Sequence, residues 1–198
     1  MDSTRITIPW PQRLLNLLDG ITLFIGRSIA WLTVMMVIAT CIVVILRRGF
    51  DIGSIALQES VAYMHAAVFL LAAGYTLKRG GHVRVDILYR NFSARRKAWV
   101  DSLGCLLFLL PLAIFTGLIS LEFVLSSWAI RESSTDSGGV GAVYLLKSLI
   151  PLMAITLGLQ AIAELLRNLL LLMGVAFPTS EPTNEPASGP ANTEESDQ

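Results

Sequence analysis

The chain has 198 residues, of which 54% are hydrophobic and 15% are charged, and its mean hydropathy is +0.63. An ordinary soluble domain carries about 25% charged residues, so this composition excludes a typical soluble enzyme and favours a membrane protein. The formal net charge is zero, but the charges are distributed very unevenly along the chain.

The N-terminal part is predicted to contain two short segments before the first membrane crossing. Residues 1–10 form a disordered N-terminus, and Pro11 suits the first position of a helix. In residues 11–27 apolar side chains recur at helical spacing, which predicts an amphipathic lead helix lying in the membrane interface. A simple extension of the first crossing is the alternative interpretation, and the sequence leaves both open.

Four apolar segments predict four transmembrane helices, because about 20 apolar residues span the hydrocarbon core of a bilayer. The runs without a formal charge are Ser28–Leu46, Ser60–Leu77, Ser102–Leu121 and Ser148–Ala163. The fold class is therefore an all-α polytopic membrane protein with an N-terminal interfacial helix. The membrane domain covers residues 28–174, with helices at about 28–46, 60–77, 100–125 and 148–173.

The distribution of Lys and Arg predicts the orientation. The N-terminus, the loop between the second and third crossings, and the C-terminal part share one side, which holds eleven basic residues against four on the other. Basic residues accumulate on the cytoplasmic side, so both termini are predicted to be cytoplasmic. Residues 175–198, rich in Pro, Ser and acidic residues, are predicted to form a disordered cytoplasmic tail. The basic loop lies between two membrane helices, which argues against nucleic acid as a partner.

Ionisable groups in or beside a bilayer are candidate functional residues, because burying them is costly. Glu59 begins the second crossing, where it either caps and orients the helix or contacts a partner subunit or neighbouring Arg side chains. Glu164 and Arg167 have the i, i+3 spacing of a structural ion pair. His65 is interpreted as a hydrogen-bonded structural residue. No arrangement of these residues predicts catalysis, a metal site or a cofactor, so the chain is not expected to be an enzyme.

One stretch is typical of a family. Gln58-Glu59 heads the second crossing, Gly74-Tyr75 lies late in it, and Gly80-Gly81-His82-Val83-Arg84-Val85-Asp86 follows it. Over about residues 12–174 the chain closely resembles the DctQ-like small membrane subunit of tripartite ATP-independent periplasmic (TRAP) transporters. The resemblance marks Glu59, His82, Arg84 and Asp86 as family signature and subunit-contact residues.

The resemblance implies a scaffold subunit of a secondary transporter in the bacterial inner membrane. Its expected partners are a large membrane subunit, which carries the sodium and substrate sites, and a periplasmic substrate-binding protein. Phospholipid headgroups are further expected ligands, at Arg84, Arg95 and Arg96. Residues from Glu132 to Arg167 resemble a branch associated with uptake of small organic or carboxylic acids. Ser137 departs from the proline that is commoner at its position, which is expected to loosen the external turn.

Two other classes of function remain as alternatives. The first is a membrane anchor of an oxidoreductase with haem near His65. This alternative is weak, because His82, the only other histidine, lies 17 residues on and at the opposite membrane surface. The second is a stand-alone four-helix exporter, for which a charged residue at mid-membrane would be expected and is missing.

Overall fold

The computed structural model describes residues 10–81 and 92–174. The described part contains helices and loops and no strand. Its elements are α1 (Trp10–Gly49), α2 (Ile55–Leu71), α3 (Ala73–Lys78), α4 (Ala94–Gly104), a π-helical turn (Cys105–Leu109), α5 (Leu110–Ala129) and α6 (Val143–Leu172).

Four helical spans are long and apolar enough to cross a membrane, which confirms the predicted all-α polytopic fold. They are Trp10–Gly49, Ile55–Lys78, Ala94–Ala129 and Val143–Leu172. Each helix runs past its charge-free segment, because backbone hydrogen bonding continues into the polar residues that flank an apolar run. The helix ends therefore lie outside the charge-free runs, by one residue at Lys78 and by three or more at the other ends.

Helix α1 continues without a break through the predicted junction between residues 27 and 28. Its 40 residues correspond to about 60 Å, twice the roughly 30 Å hydrocarbon core, so part of the helix extends beyond the core. The lead part turns Leu15, Leu18 and Thr22 toward the bundle, whereas Leu17 is 60% exposed. An interfacial location for residues 11–27 stays a prediction.

Helix α6 is the centre of the bundle. It packs against α1, α2, α3, α4 and α5, whereas α5 has extensive contacts only with α6 and the π turn within the described residues. Small residues allow α5 and α6 to approach closely: a Cβ on Gly117 would lie 3.5 Å from the Cβ of Ala154, and one on Gly158 would lie 3.7 Å from that of Ala113. Such small contacts are typical of membrane helix pairs.

The π turn has a local cause in the sequence. Pro111 lies two residues after its end at Leu109, and a proline inside a helix lacks an N–H and clashes with the carbonyl of the residue four before it. One turn with i to i+5 bonding, in which Leu110 N–H donates to Cys105 O, accommodates this proline without ending the helix.

Gly74 permits the closest approach of α3 to α6. A Cβ at this position would lie 2.8 Å from the backbone oxygen of Thr156, which cannot move aside as a flexible side chain would. We expect Gly74→Ala to lower the free energy of unfolding by about 1–3 kcal/mol, as overpacking does. The matched control is Gly20→Ala in α1, where nothing lies within 4 Å and the substitution should raise helix stability by up to about 1 kcal/mol. Thermal unfolding in detergent measures both, and equal melting temperatures would contradict this packing.

Candidate functional site

Glu59 fastens the loop between α5 and α6 to the head of α2. Its carboxylate accepts a hydrogen bond from Ser134 Oγ and another from the Val140 backbone N–H, the latter at 2.6 Å. Glu59 is the fifth residue of α2, and Ser54 is the N-cap, accepting from Leu57 N at 3.3 Å. Glu59 therefore joins the head of α2 to Ser134 and Val140, which lie 75 and 81 residues further along the chain. We call this group the Glu59 latch.

The loop has the conformation that the latch requires. Ser134 N–H donates to Val140 O at 3.1 Å, and Gly139 N–H donates to Asp136 O at 3.0 Å. Gly138 has φ +83°, which places it at the third position of a tight turn where glycine is preferred. A Cβ on Gly139 would lie 2.8 Å from Glu59 Oε2. The glycine-rich sequence is thus needed for backbone shape and close approach.

A second ion pair lies beside the latch. Lys147, in the first turns of α6, forms a salt bridge with Glu132, and its Nζ lies 4.0 Å from the centre of the Phe123 ring. The Lys147 ammonium donates to Glu132 and holds the pKa of that carboxyl below its usual value. A depressed carboxyl pKa adds stability above the unfolded pKa, and that contribution is lost as pH falls through the folded pKa.

At the opposite end of the bundle, Asp19 connects α1 with α3 and α6. Its carboxylate lies 3.2 Å from Lys78 Nζ and 2.8 Å from Arg167 Nη2. Lys78 also donates to the Asp19 backbone oxygen at 3.1 Å. Arg167 binds Glu164 as well, which is the i, i+3 pair expected from the sequence. We call these four side chains, with Gln160 and Thr22, the Asp19 network.

Gln160 carries the network into the bundle interior. Its side chain is fully buried. Gln160 Oε1 accepts from Thr22 Oγ1 at 2.8 Å, and its Nε2 donates to Glu164 Oε1 at 3.2 Å. A buried amide is costly unless it is hydrogen-bonded. The bond from Thr22 therefore favours one register of α1 against α6, and the bond to Glu164 within α6 satisfies the amide nitrogen.

A cavity of about 400 Å³ opens beside this network, between α3, α4 and α6. Its charged lining side chains are Lys78, Asp101, Glu164 and Arg167. Two are acidic and two are basic, and the basic pair already binds Asp19. The cavity therefore has no excess charge that would select an anionic ligand.

The other residues that the sequence predicted to be functional are only partly described by the structure. His82, Arg84 and Asp86 lie outside the described residues, so their roles stay predictions. Arg95 and Arg96 are exposed in the first turn of α4, a position that suits headgroup contact without testing it. Four members of the two clusters could not be paired from their positions in the sequence: Asp19, Lys78 and Gln160 in the network and Ser134 in the latch.

The position of His65 differs from the hydrogen-bonded structural role that the sequence predicted for it. Its side chain is exposed on α2, and no hydrogen bond joins it to another residue in the part of the chain that is described. The structural role expected for it was therefore wrong. Within those same residues no group of three His, Cys, Asp or Glu side chains could hold a metal.

These clusters hold helices and loops together, because their charged groups form ion pairs or hydrogen bonds within the chain. The Glu59 latch closes one end of the bundle and the Asp19 network closes the other. Neither cluster points a free charge at a cavity where a substrate could bind.

Comparison with known proteins gives one match. The family model of the DctQ component of tripartite ATP-independent periplasmic transporters matches residues 36–171, more than half of the chain. A search of curated proteins and a search of solved structures each found no match. The matched segment contains the latch, and it leaves Asp19 and Thr22 outside.

Proposed function

The chain belongs to the DctQ family of small membrane components of TRAP transporters, and from this premise we propose that it is the scaffold subunit of an importer of small organic or carboxylic acids. Its partners are a large membrane subunit and a periplasmic substrate-binding protein. The large subunit carries the sodium and substrate sites, and the ion gradient drives uptake. The chain itself has no enzymatic activity and takes no cofactor.

The observation that supports a scaffold role is the pairing of charges at both ends of the bundle. At one end the carboxylates of Asp19 and Glu164 balance the charges of Lys78 and Arg167. At the other end Glu132 pairs with Lys147, and Glu59 accepts hydrogen bonds from the loop. Substrate sites of secondary transporters are typically built from interrupted helices with free polar groups near the midplane. Here the polar groups stabilise the chain's own fold, which suits a subunit that braces a moving partner.

Orientation follows from the charges of the loops. We propose that the Asp19 network faces the cytoplasm of the bacterium and that the latch faces the periplasm, with both termini cytoplasmic. The latch loop is then in a position to meet the binding protein. Arg84, Arg95 and Arg96 are in a position to bind phospholipid phosphates of the inner leaflet.

A three-component reconstitution tests this function. The large subunit encoded beside this chain and its binding protein are placed in liposomes with an inward sodium gradient, with or without the chain. We expect uptake of a small carboxylic acid only when all three proteins are present, and uptake without the chain would contradict the proposal. An absorbance spectrum of the purified chain tests the haem-anchor alternative, for which the family match gives no support. A b-type Soret band would contradict the transporter assignment.

A further inference from the structure

Helix α5 carries an exposed carboxylate on an apolar surface. Glu122 is exposed, and its neighbours Leu118, Ile119 and Leu125 are 64%, 61% and 65% exposed. The buried residues Ser120 and Val124 each lie two positions from Glu122. Two residues turn a helix by about 200°, so Glu122 points away from α6.

The contact between α5 and α6 fixes the depth of this carboxylate. Gly117 lies opposite Ala154, and Ala113 lies opposite Gly158, so the antiparallel register places Glu122 level with residue 149. That level is the second residue of the charge-free run Ser148–Ala163 in α6. A run of this length covers about 24 Å, less than the roughly 30 Å core, so Glu122 lies at or inside the edge of the hydrocarbon.

Glu122 has no partner within the described residues of the chain. No hydrogen bond or salt bridge joins its side chain to another described residue. The nearest basic residue along α6, Lys147, already binds Glu132 and the Phe123 ring. An unpaired carboxylate facing lipid is unfavourable, and a donor supplied by another protein would remove that cost.

We propose that this outer surface of α5 binds a transmembrane helix of the large TRAP subunit, and that the partner helix places a cation or hydrogen-bond donor against Glu122. The inference rests on the proposed function. The surface consists of Phe115, Ile119, Glu122 and Ser126, which recur at the spacing of one helical stripe. Because α5 packs only on α6 and the π turn among the described elements, the stripe is broad and open.

The other exposed surfaces fit this partner less well. Helix α1 has no formally charged side chain between Ser28 and Leu46. Helix α2 exposes His65. Gly74 lies against Thr156 in α6, so the parallel register places His65 level with about residue 147, close to the level of Glu122. An imidazole side chain costs less to place in an apolar environment than an ionised carboxylate does. His65 therefore provides the matched control at equal depth on another helix.

Affinity capture of the large subunit tests the proposal. The tagged chain is co-expressed with the large subunit in wild-type, Glu122→Leu, Glu122→Gln and His65→Leu forms and captured in mild detergent. We expect Glu122→Leu to weaken binding roughly 30-fold or more, as loss of one partner of a buried charge pair does. Glu122→Gln, which retains an acceptor, should weaken it less, and His65→Leu should bind as the wild type does.

The Glu122→Leu substitution distinguishes a protein interface from a lipid-facing surface. A carboxylate that simply faces lipid would be replaced by leucine without loss, so equal capture by Glu122→Leu and wild type would overturn the proposal. Unchanged thermal unfolding of isolated Glu122→Leu protein shows that a loss of capture is not misfolding. If the wild type itself captures no large subunit, the proposed function fails first, which is a distinguishable result.

Photo-crosslinking identifies the neighbour without disturbing Glu122. A benzoylphenylalanine at Ile119, one turn away on the stripe, should crosslink to the large subunit. A crosslink to a second copy of this chain, or to lipid alone, would overturn the proposal.

Discussion

Replacing Glu59 with alanine is expected to release the loop of residues 131–142 from the head of α2. The carboxylate accepts bonds from Ser134 Oγ and the Val140 N–H, and nothing in an alanine side chain can replace these acceptors. Bonds to a charged acceptor are stronger than neutral ones, although solvent access reduces their value here. Hydrogen exchange at the Val140 amide should accelerate by several-fold to about tenfold.

Asp136→Asn is the matched control for this result. Asp136 is an exposed acid in the same loop, and its backbone atoms, which asparagine retains, make its turn contacts. Exchange at Val140 should therefore be unchanged in Asp136→Asn, and intermediate in Glu59→Gln, which keeps an oxygen acceptor. Equal exchange rates in Glu59→Ala and wild-type protein would show that the loop holds its shape without the latch.

Replacing Asp19 with alanine is expected to produce the largest loss of stability. The change leaves the Lys78 ammonium and the Arg167 guanidinium without their shared carboxylate, and the Lys78 and Asp19 side chains are only 15% and 18% exposed. Breaking a largely buried pair leaves an uncompensated charge, so the free energy of unfolding should fall by roughly 3 kcal/mol. Chemical unfolding in detergent micelles measures this loss.

The order of effects within the network gives a sharper test. In Arg167→Ala, Asp19 keeps Lys78 and Glu164 keeps the Gln160 amide, so this variant should lose less stability than Asp19→Ala. Arg13→Ala, an exposed change on the same helix, should stay within about 0.5 kcal/mol of wild type. If Asp19→Ala were as stable as Arg13→Ala, the network would not be holding α1 to α6.

The sequence predicted the four membrane-spanning segments and their helical structure, because charge-free runs of bilayer length have few other structural solutions. The continuity of α1 was not decided by the sequence, since an amphipathic segment after Pro11 suits either an interfacial helix or an extension of the crossing. The π turn was also not predicted from the sequence, although Pro111 was the available signal.

The two clusters were harder to predict from the sequence, because the residues that form them lie far apart in the chain. Glu164 and Arg167 are neighbours on one helix and could be paired by spacing. Asp19 and Arg167 are 148 residues apart, and pairing them requires the register of α1 on α6. The partner of Ser134 was equally hard to predict, because a polar, glycine-rich loop does not indicate which carboxylate it will bind.

We propose that this chain braces a transporter and takes no part in recognising its substrate. Relative uptake rates for a panel of small carboxylic acids test it most directly, measured for the reconstituted complex with wild-type, Glu59→Lys or Arg84→Glu chain. We expect the uptake of every substrate to fall by the same factor in each variant, so that the order of substrate preference is unchanged. A changed order of preference would show that this chain contributes part of the substrate site.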